Sequence, residues 1–414
     1  MTFVMKETAQ TLVLVFSIIA IGYMVGSIKV KGIKLGTAAI FLVGLVFGHF
    51  GVTLPGVLQT LGLLLFITPV GFSAGPTFIR RMKMNGKAYA VLCVTIACVG
   101  AAICTGVIKL GGVEAPLAVG IMTGAFTTSP GFAAAKEAVS ASADAVSRVA
   151  AGYGVAYPVG VICKVLAVQM IPRWVHADMP HERELIALPK KAEAKKAFSG
   201  KRLDPWGLMP FALAVVLGVL IGGVTFRLPG GGSFALGNTG GPLIVALLIG
   251  HIGHAGKIDL SMDARVHGPM KEIGLMLFFT GAGVEGGRGL MEILSTYGLL
   301  LLVYAFLLVS IPLAAGFFMF RYVLKLPLLN GLGSITASMT STPSLAELIQ
   351  VAGTDDVAAA YATTYPIALI TLILMCQLLV AIEYEKSPQW MLRAFCGFRK
   401  FWEWIFIENR WPVC

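Results

Sequence analysis

Long apolar segments follow one another along the whole chain and are separated by short polar segments. Most contain about 20 predominantly apolar residues, the length an α-helix needs to cross a bilayer. None shows the strict alternation of an outer-membrane β-barrel. The segments are residues 9–28, 35–51, 60–79, 88–108, 115–141, 146–171, 207–226, 240–256, 272–291, 296–320, 328–352 and 357–382. The pattern therefore predicts an all-α polytopic membrane protein.

The composition supports a membrane protein and limits the functions that we expect for it. The mean hydropathy is +0.83 and only 13% of the residues are charged, unlike an average soluble domain. The net charge of +11 comes mainly from Lys and Arg in short polar segments, which is a topology signal, so we expect no nucleic acid partner. The seven cysteines lack metal-binding spacing, and no catalytic or nucleotide-binding motif stands out. We therefore expect neither an enzyme nor a bound cofactor.

Two tetrapeptides interrupt apolar segments in which continuous helices would otherwise be expected. They are Thr127–Pro130 and Thr340–Pro343, and each places a hydroxyl directly before a proline. Ser129 and Thr342 suit the N-cap of a new helix, and the proline that follows suits its first position. A broken helix in lipid is tolerated only where it lines a protein or water-filled cavity. The two breaks together therefore mark a candidate translocation site.

The two halves of the chain resemble each other. Residues 1–171 form the first half and residues 207–382 the second, with a polar linker at 172–206. The matching pairs are Gly62–Thr68 with Gly274–Thr280, Gly48–Gly51 with Gly250–Gly253, and Tyr153–Pro158 with Tyr361–Pro366. A duplication that includes both breaks is typical of secondary transporters built from internal repeats.

The positions of Lys and Arg predict how the repeats are oriented. If residues 115–141 and 328–352 are re-entrant hairpins with the breaks at their tips, five transmembrane helices remain in each half and the repeats are inverted. The basic loops at 29–34, 80–87, 257–271 and 321–327 and the solvated linker 172–206 then lie in the cytoplasm, and both termini lie in the periplasm. The aromatic and basic residues 383–414 predict an amphipathic interfacial tail, with one more crossing as the alternative.

The hairpin tips carry the candidate substrate-binding residues. Free amides at a helix start favour anions, whereas free carbonyls and hydroxyls suit Na⁺, so a small carboxylate is the expected cargo and Na⁺ is a candidate coupling ion. The candidates are Thr127, Thr128, Ser129, Pro130, Gly131, Thr340, Ser341, Thr342, Pro343 and Ser344, together with Thr68, Thr280, Tyr157 and Tyr365. For the last four, helix packing is an equally good explanation, and whether any metal binds stays open.

Charged residues inside the apolar segments are further candidates. They are Lys136, Glu137, Lys164 and Glu347. Intramembrane charges are functional candidates by default, but the first three lie where their side chains can snorkel toward water. Glu347 is therefore the strongest of the four.

The segments Gly124–Ala135 and Thr336–Glu347, with the repeated Tyr-Pro motifs, resemble the bacterial aspartate:alanine exchanger family. The resemblance implies a multi-pass inner-membrane antiporter, commonly a homodimer, that exchanges small amino acids or dicarboxylates by alternating access, with an elevator-like movement as one mechanism. A Na⁺- or H⁺-coupled carboxylate symporter or exporter, and a non-transporting membrane receptor, are the alternatives. Long family members carry regulatory domains between the halves, where this chain has only residues 172–206.

Overall fold

The structure is a computed structural model that describes residues 7–30, 33–34, 36–187, 201–224, 226–227, 233–234, 236–287, 295, 298–380 and 382–383. Its helices are α1 Glu7–Ser27, α2 Ala38–His49, α3 Gly56–Lys109, α4 Ala115–Ala125, α5 Ser129–Ala138, α6 Ala143–Trp174, α7 Met179–Ile186, α8 Leu208–Gly222, α9 Gly237–Ile252, α10 Ala264–Gly287, α11 Leu300–Phe318, α12 Leu328–Ser338, α13 Thr342–Ala352 and α14 Val357–Val380. A π-helical turn, Met319–Val323, extends α11. The predicted tail 383–414 lies outside the described residues, apart from Glu383.

Each strand is two residues long, and the strands lie in the segments that connect helices. β1 (Lys29–Val30) pairs antiparallel with β2 (Ile33–Lys34), and β4 (Phe226–Arg227) pairs antiparallel with β5 (Ser233–Phe234). β3 (Lys201–Arg202) runs parallel to β7 (Ile258–Asp259), which also pairs antiparallel with β6 (His254–Ala255).

The prediction of an all-α membrane protein is confirmed. Within the described residues, five helices are long and apolar enough to cross a membrane, namely α1, α3, α6, α14 and α11 with its π-helical turn. The orientation of the crossings, the inversion of the repeats and the side of each terminus stay predictions.

The long helix α3 corrects one part of the sequence analysis. Residues 80–87 were expected to form a basic loop between two apolar segments, but α3 runs unbroken from Gly56 to Lys109. These residues are mostly Arg, Met and Lys, which are strong helix formers, and they include neither a proline nor a capping serine or threonine. A helix of 54 residues is roughly 81 Å long, far more than one bilayer crossing requires. Segments 60–79 and 88–108, which were counted as two of the five crossings of the first half, are therefore parts of one helix.

The helices form two groups, and α3 takes part in both. The scaffold group contains α1, α2, α8, α9, α10 and the first half of α3, whereas the hairpin group contains α4–α6, α11–α14 and the second half of α3. In the scaffold group, Gly62 of α3 packs against the backbone of Gly274, leaving no room for a Cβ atom. In the hairpin group, Gly100 of α3 packs against the ring of Phe126. Small residues allow this close approach of membrane helices.

The short helices α4 and α12 lie in the interior of the hairpin group. Every residue of both helices is buried, although each helix has only 11 residues. Helices this short cannot cross a bilayer core of about 30 Å, so neither arm is a transmembrane span by itself.

The linker 172–206 is packed against the hairpin group at its beginning. It contains the short helix α7, in which Glu182 and Ile186 are buried. The carboxylate of Glu182 accepts a hydrogen bond of 2.9 Å from the backbone amide of Leu328, the first residue of α12. The expectation of a segment solvated throughout is therefore wrong for α7, because this carboxylate caps a buried helix start.

Candidate functional site

Both predicted helix breaks are present, and both helix starts lie one residue from the predicted position. Helix α5 begins at Ser129 and α13 begins at Thr342, so the N-caps are Thr128 and Ser341. Thr128 has extended backbone angles, and its hydroxyl accepts a hydrogen bond of 3.2 Å from the amide of Gly131. The proline then occupies the second helical position, where an amide also lacks a partner within the helix.

The residue before each N-cap has an unusual backbone conformation. Thr127 has φ of 56° and Thr340 has φ of 47°, although β-branched residues rarely adopt positive φ. In hairpin 1 (residues 115–138), the amides of Thr127 and Thr128 bond the carbonyls of Gly124 and Thr123. The same two bonds recur in hairpin 2 (residues 328–352). This is a Schellman end with threonine where glycine is usual, and such strain is concentrated at functional sites.

The two strained threonines touch each other's hairpins. The hydroxyl of Thr127 donates to the carbonyl of Met339 at 3.3 Å, and the hydroxyl of Thr340 donates to the carbonyl of Phe126 at 3.4 Å. The two contacts are reciprocal, so the breaks meet tip to tip although they are more than 200 residues apart in sequence.

The chain reverses direction at the tip of hairpin 1. Gly120 of α4 packs against Val149 near the start of α6, and Ala125 at the end of α4 packs against Gly160 further along α6. Helices α4 and α6 therefore run in the same direction, and α5, which connects them, must run back. Hairpin 2 has the matching contact, because Gly333 of α12 packs against Val357 at the start of α14.

A tyrosine stands beside each helix start. The hydroxyls of Ser129 and Tyr153 lie 3.4 Å apart, and those of Thr342 and Tyr361 lie 3.3 Å apart. Tyr157 and Tyr365 follow one turn later, with their rings 5.4 Å and 5.3 Å from those of Tyr153 and Tyr361, respectively. The duplicated motifs thus produce duplicated contacts.

A cavity of about 840 Å³ opens between the scaffold group and hairpin 1. It is bounded by α5 and α6 on one side and by α3, α9 and α10 on the other. Its polar lining residues are Gln59, Thr60, Ser129, Glu137, Tyr153, Tyr157, Asn238 and Glu285. The cavity has the size of a small-molecule site and reaches the start of α5.

The return arm of hairpin 2 is packed by its neighbours. Thr342 is 6% exposed and Ser344 is fully buried, whereas Ser129 of hairpin 1 is exposed. Glu347 is buried as well, and its carboxylate accepts a hydrogen bond of 2.8 Å from the side chain of Gln169 in α6. The two hairpins therefore share a local structure and differ in exposure.

Twelve of the predicted site residues belong to the two tips or to the tyrosines that follow them, but only Ser129, Pro130 and Tyr157 line the cavity. Thr68 and Thr280 lie buried in α3 and α10 and do not line the cavity. Thr280 donates to the carbonyl of Met276 in its own helix at 2.7 Å, and the hydroxyl of Thr68 has no hydrogen-bond partner in the described part of the chain. This geometry is what helix packing alone would produce.

The sequence analysis missed several cavity residues, and one of them carried a signal. Glu285 is an acidic residue inside the apolar segment 272–291, and an intramembrane carboxylate is a functional candidate by default. Gln59, Thr60 and Asn238 are uncharged residues near helix starts, and no motif distinguishes them. Lys164 was ranked low because it could snorkel, but it is 1% exposed and reaches the tips.

The chain matches a family model over residues 14–173 and 210–381, which together make up most of its length. The model is the predicted permease membrane region of the aspartate–alanine exchanger family. The chain belongs to this family. The resemblance inferred from the hairpin motifs is therefore confirmed, and the residues between the matched segments coincide closely with the linker 172–206.

Curated relatives of this family member are similar over nearly their whole length. An uncharacterized transporter of Bacteroides fragilis (strain YCH46) is 26% identical, with 89% of this chain and 98% of the relative covered. One from Desulfotalea psychrophila (strain LSv54) is 25% identical, with 89% and 96% covered. These alignments extend over 524 and 526 positions, more than the 414 residues of this chain, so the relatives contain segments without a counterpart here. No solved structure shows significant similarity to the chain.

Proposed function

We propose that this family member is a secondary active transporter of the inner membrane that exchanges small amino acids or dicarboxylates of the aspartate/alanine type. The cargo binds in the cavity at the start of α5, beside the junction of the two hairpin tips. The hairpins are re-entrant and the working unit is a homodimer. The repeats are inverted with both termini in the periplasm, which requires the two halves of α3 to act as separate crossings. The family's permease region and the internal duplication support this proposal.

The observation that carries the proposal is that the two tips meet each other and that the helix start beside this junction lines a cavity. Thr127 and Thr340 bond each other's hairpins, and the start of α5 faces the cavity at Ser129. Opposed interrupted helices that meet at one point are the usual construction of an alternating-access site. At this exposed helix start Pro130 has no amide hydrogen and the amide of Gly131 is bonded by Thr128, so the positive end of the helix dipole and the hydroxyl of Ser129 are what favour a carboxylate.

The charges of the cavity favour a zwitterionic amino acid over a dicarboxylate. Glu137 and Glu285 line the cavity, while Ser129 marks the helix start. An amino acid can place its carboxylate at the helix start and its ammonium group near a glutamate. A dicarboxylate would place its second negative charge close to one of these glutamates, which is unfavourable.

The difference in exposure between the hairpins supports alternating access. In the present state the return arm of hairpin 1 faces a cavity and that of hairpin 2 is buried. A movement of the hairpin group against the scaffold group would close the cavity at hairpin 1 and expose the return arm of hairpin 2. Because α3 is the only continuous helix among the described residues that takes part in both groups, an elevator-like movement is the form we propose.

Coupling to Na⁺ is the second candidate, and one observation favours it. The carbonyls of Phe126 and Met339 and the hydroxyls of Thr127 and Thr340 converge at the tips. Carbonyls at half-helix ends are common ligands of coupling ions in transporters. If transport is coupled to Na⁺, the cargo enters together with the cation instead of in exchange for a second substrate.

The test is counterflow in proteoliposomes that contain the purified protein. Vesicles are loaded with unlabelled aspartate, alanine, glutamate, succinate or malate, and entry of the labelled compound is followed with and without Na⁺. We expect Na⁺-independent accumulation of one or two amino acids. Accumulation only with Na⁺ would favour the symporter, and no accumulation of any compound would contradict the proposal.

The role of the cavity charges is tested with Glu285→Gln. Loss of a charge-assisted contact to the ammonium group should raise KM for the amino acid about 10-fold and leave the entry of succinate unchanged or faster. Glu272→Gln is the matched control, because Glu272 lies on the same helix, bonds Tyr23 and does not line the cavity. An unchanged KM in Glu285→Gln would exclude this glutamate from recognition.

A further inference from the structure

Lys164 is a buried lysine whose side chain reaches the tip of hairpin 1. It lies on α6 and is 1% exposed. Its ammonium group donates to the hydroxyl of Thr127 at 2.9 Å and to the carbonyl of Ala125 at 3.1 Å. Ala125 is the last residue of α4, so the ammonium group lies at the end of that helix, where carbonyls lack partners within the helix.

The partners of Lys164 are neutral. Within the part of the chain that the structure describes, no carboxylate forms an ion pair with it, and both of its bonds go to uncharged oxygens. A buried charge without an opposite charge is costly unless dipoles and hydrogen bonds compensate it. An ordinary structural role would therefore be served better by a neutral side chain of similar length.

Helix ends supply the compensation. The C-terminal ends of α4 and α12 both point at the tip junction, since Thr127 and Thr340 follow them directly and touch across it. Each helix end carries roughly half a negative elementary charge, so the two together match about one cation. Lys164 also bonds Thr127, whose hydroxyl lies 2.7 Å from the carbonyl of Phe126 and 3.3 Å from that of Met339, so the ammonium group contacts hairpin 1 directly and reaches hairpin 2 only through this hydroxyl.

The second repeat lacks this lysine. Counting 11 residues from the equivalent tyrosines Tyr153 and Tyr361 places Leu372 opposite Lys164. One ammonium group therefore serves a junction to which both repeats contribute. A lysine that served helix packing within each repeat would be expected in both repeats, whereas the single junction between the tips needs only one cation.

We propose that Lys164 is a tethered cation that occupies the position between the tips which a free coupling cation would otherwise take. The oxygens of the tips then hold the ammonium group of the chain itself, and transport needs no Na⁺ at this site. This inference rests on the proposed function for its meaning in transport. Whether the Lys164 side chain fills a cation site can be tested without any substrate.

The experiment measures the melting temperature of the purified protein in detergent without substrate. The salts are NaCl, methylammonium chloride and choline chloride at equal concentration, and choline is too large for the site. The variants are Lys164→Ala, which opens the site, Lys164→Arg, which keeps the charge, and Lys164→Met, which keeps the length without the charge. Lys109→Ala is the control, because Lys109 is an exposed lysine at the end of α3.

We expect the unaltered protein, Lys164→Arg and Lys109→Ala to melt at the same temperature in all three salts. Lys164→Ala should melt lower in choline chloride and regain on the order of 2 °C in NaCl or methylammonium chloride, because a cation that binds only the folded state stabilises it. Lys164→Met should also melt at a lower temperature than the unaltered protein. Because the methionine side chain fills the site, its melting temperature should not recover in NaCl or methylammonium chloride. Size-exclusion chromatography shows which variants are folded.

Three results would overturn the proposal. The first is a folded Lys164→Ala protein that responds to neither cation, and the second is a Lys164→Met protein with unaltered melting temperature and counterflow. The third is a rise in the melting temperature of the unaltered protein that is specific to Na⁺ and as large as the rise in Lys164→Ala. Because melting is measured without substrate, failure of amino acid counterflow would count against the proposed function and leave this result standing.

Discussion

Hairpins 1 and 2 have the same local structure and opposite exposure. In both, a threonine with positive φ precedes the N-cap, a proline follows at the second helical position, and a tyrosine stands beside the helix start. Yet Ser129 is exposed to the cavity, whereas the equivalent Thr342 is buried. The local sequence thus determines the shape of the tip, and the surrounding helices determine whether water and substrate can reach it.

The elements packed around hairpin 2 explain why it is closed. Arg183 of α7 donates to the carbonyl of Ala352 at the end of α13. Lys271 of α10 pairs with Asp355 at 2.6 Å, and Arg81 of α3 pairs with Asp356 at 3.1 Å, directly after the hairpin. The second and third contacts join the scaffold group to the hairpin group, so together they hold this side shut.

The ion pairs at the corresponding end of hairpin 1 are of a different kind. Arg148 of α6 pairs with Glu114, just before α4, and with Asp144 on its own helix. These three residues all belong to the hairpin group or its immediate flank. They can therefore move together with hairpin 1, whereas the pairs beside hairpin 2 must break if the two groups separate.

The largest expected effect concerns the accessibility of the two helix starts. In a variant without native cysteines, Ser129→Cys should react with a hydrophilic maleimide roughly 10 to 1000 times faster than Thr342→Cys, because the latter is exposed only in a minor state. Labelling rates of the two purified proteins provide the measurement. Equal rates in the absence of substrate would contradict the description of hairpin 2 as closed.

The next largest effect concerns the tip hydroxyls. Thr127→Val should lower the free energy of unfolding by about 1–3 kcal/mol, because it leaves the ammonium group of Lys164 with one partner fewer. Thr340→Val, which removes one long hydrogen bond, should lower it by about 0.6 kcal/mol. Denaturant unfolding in detergent measures both.

The control for the tip variants is Thr363→Val. Thr363 is buried like the tip threonines, but its hydroxyl bonds only the carbonyl of Ala359 in its own helix. Its substitution should change stability less than that of Thr127. If Thr340→Val proved more damaging than Thr127→Val, the asymmetry attributed to Lys164 would be wrong.

The smallest effect concerns the ion pairs that close hairpin 2. Lys271→Ala should increase the labelling of Thr342→Cys about 2- to 5-fold, because a partly exposed ion pair contributes about 1 kcal/mol at most. The double charge reversal Lys271→Asp with Asp355→Lys should restore slow labelling. Arg265→Ala is the control, since Arg265 pairs only with Asp263 near the start of the same helix. Faster labelling in the control would point to a general loosening of α10.

The break positions could be predicted because their causes are local. A hydroxyl before a proline caps a helix wherever it occurs, and the duplication of the motif fixed the pairing of Thr127 with Thr340. The N-cap was misplaced by one residue because Thr128 and Ser129 are both capable caps, and backbone angles alone distinguish them. The same holds for Ser341 and Thr342.

The sequence by itself determined the membrane class, the two breaks, the duplicated motifs and the family, since these depend on hydrophobic length, capping chemistry and repetition along the chain. Only the tertiary structure decided that residues 80–87 continue a helix, that hairpin 1 is open while hairpin 2 is closed, and that Lys164 reaches the junction of the tips. The physical reason is that burial and charge compensation depend on neighbours distant in sequence. For Lys164 these neighbours are Ala125 and Thr127 on another arm of the bundle.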